Sequence, residues 1–96
     1  MKPYTPAEAQ KMMSELSTGW MLIDEAHLLA KELRFKDFAS AMAFANKVGE
    51  IAETEGHHPD LSIGWGRVSI ELTTHAIDGL SENDFILAAK IDELEK

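Results

Sequence analysis

Between Phe38 and Ala52, the residues Phe38, Ala41, Met42, Ala45, Val48 and Ala52 form an apolar stripe at helical spacing, the strongest periodicity in the chain. Asp37 stands where a carboxylate caps the first free N–H groups, and Gly56 with Pro59 three residues later forms a helix stop. A helix with so continuous an apolar face needs a second apolar surface to lie on, because packing supplies most of a helix's stability. That requirement governs how the flanking segments are read.

Both flanks supply strands. Trp20 to Ile23 reads as a strand, Asp24-Glu25 as a turn, and about His27 to Phe35 as a second strand. In the second, Leu29, Leu33 and Phe35 share a face and Lys31 interrupts the alternation. After the central helix, Leu61 to Ile63 begins a strand, Gly64-Trp65-Gly66 turns, and Arg67 to Thr74 alternates clearly. Val68, Ile70 and Leu72 face one way there, and Ser69, Glu71 and Thr73 the other.

Helices close both ends. Thr5-Pro6-Ala7-Glu8 is a capping start for a helix carrying Ala9, Met12, Met13 and Leu16 to about Ser17, with Thr18-Gly19 ending it. Ser81-Glu82-Asn83-Asp84 starts a last helix whose buried side is Phe85, Ala88, Ala89, Ile91 and Leu94. The order α-β-β-α-β-β-α predicts an α+β two-layer sandwich: a four-stranded antiparallel sheet with three helices on one face, one domain over 1–96.

The 96 residues carry 17 acidic and 9 basic side chains, a net charge of −8, so the surface repels phosphate backbones and direct nucleic-acid binding is not expected. No apolar run is long enough for a membrane span or a secretory signal. The absence of cysteine excludes disulfides and thiolate metal sites and is compatible with a cytoplasmic protein.

Chemistry concentrates at His57-His58-Pro59-Asp60. The last carbonyls of a helix carry partial negative charge and favour a protonated imidazole. Glu53, four residues before His57, is placed on the same side of the last turn, where a carboxylate orients an imidazole. Pro59 biases His58 toward extended backbone and sends the two rings to different sides. A further histidine, His75, follows the last strand.

Local pattern alone leaves an acid–base pair and ordinary surface imidazoles both open. A metal site is the weakest alternative, since helical metal motifs space their histidines by four. His27 reads as structural or exposed, Trp65 as a stacking surface or a partly buried ring, Asp84 as a cap and Met12-Met13 as core.

Taken together, Gly19-Trp20, Phe35-Lys36-Asp37-Phe38, Glu53-Thr54-Glu55-Gly56-His57-His58-Pro59-Asp60, Trp65, Thr73-Thr74-His75, Gly79-Leu80-Ser81 and Asp84 resemble the pterin-4a-carbinolamine dehydratase family, also known as dimerisation cofactors of a homeodomain transcription factor. The resemblance spans most of the chain. It implies an enzyme that dehydrates 4a-hydroxytetrahydropterin to quinonoid dihydropterin, in tetrahydropterin recycling, without metal or organic cofactor.

It further implies that His57, His58 and His75 are the catalytic residues. Pterin contacts then fall near Pro59 and along Thr74, His75, Ala76 and Ile77, with Glu53 and Asp84 as supporting carboxylates. A homodimer or homotetramer is implied as well. Gly64-Trp65-Gly66 departs from the Tyr-Asn frequent in relatives, and Leu61 fills a slot that can be aromatic, which bears on substrate fit. The rival expectation is a non-catalytic protein-binding dimerisation cofactor; the three histidines favour the enzyme. A role elsewhere in pterin metabolism is a third expectation.

Overall fold

The Thr5 cap forms as the sequence predicts. The Thr5 hydroxyl accepts from the Glu8 N–H at 3.1 Å, and the Glu8 carboxylate accepts from the Thr5 N–H at 2.8 Å. The computed structural model, which describes residues 2–95, has the order α1 (Pro6–Met12), a 3-10 turn (Met13–Glu15), β1 (Met21–Ile23), β2 (Leu28–Arg34), α2 (Phe38–Glu55), β3 (Asp60–Gly64), β4 (Arg67–Leu72), a second 3-10 turn (His75–Ile77) and α3 (Glu82–Leu94). The four strands form one antiparallel sheet in the order β1-β2-β4-β3. This is the expected α+β arrangement.

Register explains why the helices cover one face. Leu29 pairs with Leu72, Lys31 with Ile70 and Leu33 with Val68, while Leu61 pairs with Ile70 and Ile63 with Val68. Directly paired residues point the same way, so these side chains form a single inner surface. Leu29, Val68, Ile70 and Leu72 are fully buried there against Ala41, Phe44, Ala45 and Val48 of α2 and Leu87, Ala88 and Ile91 of α3. Phe35 joins them by packing on Phe44, ring centroids 5.2 Å apart.

Several boundaries differ from the sequence expectation. The first helix stops at Met12 and tightens into a 3-10 turn instead of reaching Ser17, because Leu16 is already extended and the Ser14 hydroxyl donates to the Lys11 carbonyl at 2.9 Å. Trp20 lies outside β1, its indole N–H drawn inward to Asp92 at 2.8 Å. Strand β4 ends at Leu72 rather than Thr74, and the chain there turns into the His75–Ile77 segment. Leu87, absent from the expected buried set of the last helix, is fully buried.

The β1–β2 connection is also longer than a simple two-residue turn. Asp24, Glu25 and Ala26 have φ of 56°, 53° and 66°, three consecutive left-handed residues without a glycine. Each costs roughly 1–2 kcal/mol relative to ordinary backbone. The His27 N–H donates to the Ile23 and Asp24 carbonyls, and Ala26 is buried, so the surrounding contacts hold the turn. At the β3–β4 hairpin, a side chain on Gly66 would meet the Phe35 carbonyl oxygen at 2.7 Å, and the Phe35 N–H donates to the Gly66 carbonyl at 2.8 Å. Only glycine permits that approach.

Lys31 does not interrupt the inner face; it belongs to it. Its buried ammonium bonds Asp92 at 3.3 Å, Glu95 at 2.7 Å and the Ser17 hydroxyl at 3.0 Å, 5.5 Å from the Trp20 ring centroid. Asp92 also accepts from the Ser17 N–H and hydroxyl and from the Trp20 indole. Burial pushes the Asp92 carboxyl up, but these hydrogen bonds and the Lys31 charge outweigh it and hold the group below its ordinary value.

A lowered carboxyl contributes stability that is present above about pH 3.9 and lost as pH falls through the lowered folded value. Urea unfolding of Asp92→Asn at neutral pH is expected to show a loss of about 2 kcal/mol, below the usual 3–5 for breaking a buried pair because Glu95 still faces Lys31. The same variant should lose less stability than the parent between pH 5 and pH 3.

Candidate active site

The end of α2 positions both histidines of the pair. Gly56 takes the left-handed conformation, φ 66°, and the His57 N–H still reaches back to the Ala52 carbonyl at 3.2 Å. Beyond it, Asp60 opens β3 and already pairs with Glu71 of β4. His57 and His58 therefore occupy the short connection between the helix and the sheet edge.

Their rings take different partners. His57 Nε2 lies 2.5 Å from Asp84 Oδ1, with the histidine side chain 16% exposed and the aspartate completely buried. His58 Nε2 bonds Glu53 Oε2, both groups on the surface. Glu53 thus orients His58 and not His57, contrary to the helical-spacing expectation. The left-handed turn at Gly56 takes His57 off the helical path, and the spacing of four no longer applies.

Asp84 is the hub of the site. Its Oδ1 faces His57, while its Oδ2 accepts the Thr74 hydroxyl at 2.7 Å and the Ser81 N–H at 2.9 Å. The Thr74 and Ser81 hydroxyls are themselves 2.8 Å apart. Capping therefore accounts for only part of Asp84: the same carboxylate also joins the end of α2 to the segment after β4. A carboxylate accepts hydrogen bonds, and an imidazole N–H is the donor that complements it. A buried acid in this position holds the orientation of the imidazole it faces.

His75 follows Thr74 directly and opens the second 3-10 turn. Its base is closed by paired backbone bonds, Thr74 N to Gly79 O at 2.8 Å and Gly79 N to Thr74 O at 3.4 Å. His75 and Ala76 are exposed, Ile77 is half-buried, and the His75 ring has no hydrogen-bond partner among the described residues. Pro59 is half-buried beside His58. The chain of bonds His57–Asp84–Thr74 thus connects one side of the site to the residue before His75.

Trp65 stands apart. It is 71% exposed at the β3–β4 tip, the full length of β3 away from His58, so it is neither buried nor among these contacts. Among the described residues, no three His, Asp or Glu side chains are grouped to hold a metal ion. The link from Asp84 to His57 spans 27 positions, and no local sequence signal announces it.

Removing the hub should be felt in both fold and site. For Asp84→Ala, melting followed by circular dichroism is expected to show a loss of about 2–4 kcal/mol, combining a lost cap with unpaired buried donors. The His57 ring resonances should shift in the same variant while those of His58 stay in place.

Comparison with known proteins agrees along nearly the whole chain. The sequence model of the family described as Pterin 4 alpha carbinolamine dehydratase matches residues 2–94. A protein of Methylococcus capsulatus, provisionally named a pterin-4-alpha-carbinolamine dehydratase, is 52% identical over 92 residues, covering 96% of this chain and 80% of its own. One of Rickettsia bellii with the same provisional name is 50% identical over 93 residues, covering 97% and 81%.

Among solved structures, a transcriptional coactivator/pterin dehydratase from Brucella melitensis superposes with a TM-score of 0.90 at 28% identity, covering 99% of this chain and 100% of the other. A pterin dehydratase-like protein identified as a RuBisCO assembly factor in the alpha-carboxysome superposes at 0.67 with 26% identity, covering 79% and 88%. On the family match and these identities, the chain belongs to the pterin 4 alpha carbinolamine dehydratase family.

Proposed function

We propose that this chain dehydrates 4a-hydroxytetrahydropterin to quinonoid dihydropterin and water by histidine acid–base catalysis, in tetrahydropterin recycling. The observation that carries the proposal is the buried Asp84 carboxylate, bonded at once to the His57 ring and to the Thr74 hydroxyl beside His75. Such a carboxylate, besides capping α3, orients an imidazole for proton transfer.

The chemistry requires two proton movements. An acid protonates the C4a hydroxyl, which leaves as water with the C–O bonding pair. A base removes the N5 proton, and the N5 electrons form the C4a–N5 double bond. Imidazole, with a reference pKa of about 6.5, serves either role near neutral pH. We assign His57 and His75 as the acid–base residues and His58, held by Glu53, as an assisting group. Pro59, Thr74, Ala76 and Ile77 contact the pterin, and Glu53 and Asp84 act by orienting imidazoles. The step needs neither metal nor organic cofactor.

The proposal extends to a cytoplasmic homodimer or homotetramer. Its support is two unpaired sheet edges, β1 and β3, with Met21 58% and Ile63 36% exposed along them. A non-catalytic dimerisation cofactor is the alternative, for which the name transcriptional coactivator, borne by the Brucella melitensis neighbour, is the relevant observation.

Decay of enzymatically generated 4a-carbinolamine, followed by absorbance, separates the two. The wild-type protein is expected to accelerate it, and His57→Ala and His75→Ala each to lose about 10²–10⁴-fold. No acceleration by wild type refutes the enzyme; equal rates in all three refute the residue assignment.

A further inference from the structure

The segment that carries His75 is tied to the rest of the molecule on a side that the acid–base chemistry does not use. His27 Nε2 meets Asp78 Oδ1 at 2.8 Å, and the Thr73 hydroxyl donates to the His27 carbonyl at 2.9 Å. These bonds fasten the β1–β2 turn to both ends of the stretch from Thr73 to Asp78, with the His75–Ile77 turn between them. Two residues beyond Asp78, the Tyr4 N–H donates to the Leu80 carbonyl at 2.9 Å.

Unusual backbone lies at Asp78 and immediately before His27. Asp78 closes the 3-10 turn in the left-handed region, φ 53° and ψ 51°. His27 follows the three left-handed residues Asp24, Glu25 and Ala26. Unfavourable conformations without glycine on both sides of one contact mark a place where the surroundings over-determine the geometry. An exposed ion pair contributes little to global stability, and Asp78 is 92% exposed. Its effect is therefore local, on the placement of a short turn.

Resting on the dehydratase reading, we infer that His27 and Asp78 form a latch that sets the position of the His75-bearing turn relative to His57, making His27 a positioning residue for the reaction. His27 does not itself touch the pterin. Misplacing a reacting group by a fraction of an ångström is enough to slow a reaction measurably, even when the change is remote from the chemistry.

Protonation tightens the latch. The hydrogen bond to Asp78 raises the His27 pKa; desolvation opposes this, and the charges of Asp78 and Asp24 add to the rise. A raised imidazole value means that the charged contact is fully present below about pH 6.5 and is lost as pH rises through the folded value.

Four variants of the full chain test the latch: His27→Ala, His27→Gln, Asp78→Gly and the double variant with His27→Ala and Asp78→Gly. Glycine at 78 removes the carboxylate while suiting the left-handed backbone, and glutamine at 27 keeps a donor. His27→Ala and Asp78→Gly are each expected to lower kcat by about 3–10-fold with little change in melting temperature. The double variant should be no slower than the slower single variant, and His27→Gln should recover most of the rate. The wild-type advantage over His27→Ala should shrink from pH 6 to pH 9.

Amide exchange at Ile77 and Asp78, whose N–H groups donate to the Thr74 and His75 carbonyls, should quicken in both single variants, a readout that needs no catalysis. Single variants as fast as an active wild type, or losses that multiply in the double variant, overturn the latch. An inactive wild type with unaltered exchange in the variants overturns it as well. An inactive wild type whose variants exchange faster overturns the dehydratase reading and leaves the mechanical link standing.

Discussion

A carboxylate with no solvent contact needs protein donors on both oxygens, and at Asp84 they come from separate parts of the chain. His57 arrives from the end of α2, Thr74 from beyond β4 and the Ser81 N–H from the head of α3. Burying an unpaired charge is far more costly than burying a hydrogen-bonded one. Folding therefore brings these three termini to one point or leaves the acid exposed. The sheet and helices supply the apolar enclosure, and the carboxylate fixes how their ends meet.

Helix α3 carries a second buried acid, Asp92, with a different retinue. It gathers Ser17, Trp20 and Lys31 and so ties the start of β1 and the middle of β2 to the last turns of the helix. Both acids sit on the same scaffold, yet only Asp84 holds an imidazole. A lysine partner makes Asp92 a brace between layers. A histidine partner with a second ring nitrogen is what the proposed proton transfer asks of Asp84.

The fold could be read from the sequence wherever a local rule decides the outcome. The Asp37 cap, the left-handed Gly56 and the buried positions Ala41, Ala45, Val48 and Ala52 of α2 are local and form as expected. Phe38, at the head of the expected stripe, is 49% exposed, and Phe44 is buried instead. The alternation of Val68, Ile70 and Leu72 likewise identified the inner face. Expectations failed where a distant partner intervened. Lys31 looked like an interruption because its acid lies 61 positions away, and Trp20 left β1 for the same acid. Glu53 was matched to the wrong histidine because helical spacing does not survive the turn at Gly56. The family resemblance named His57, His58, His75 and Asp84 together, whereas no periodicity or motif spacing joins His57 to Asp84 or His27 to Asp78.

The two tryptophans lie at opposite extremes of environment. Trp20 is 5% exposed with its indole hydrogen-bonded to Asp92, whereas Trp65 is 71% exposed at the tip of a hairpin. The tryptophan fluorescence of the protein is accordingly a sum of two signals from contrasting environments. Loss of the folded core is reported through Trp20 alone, and contact between the hairpin tip and another molecule through Trp65 alone. A water-soluble quencher reaches only the second ring in the native protein, so unfolding and association can be followed separately without an added label.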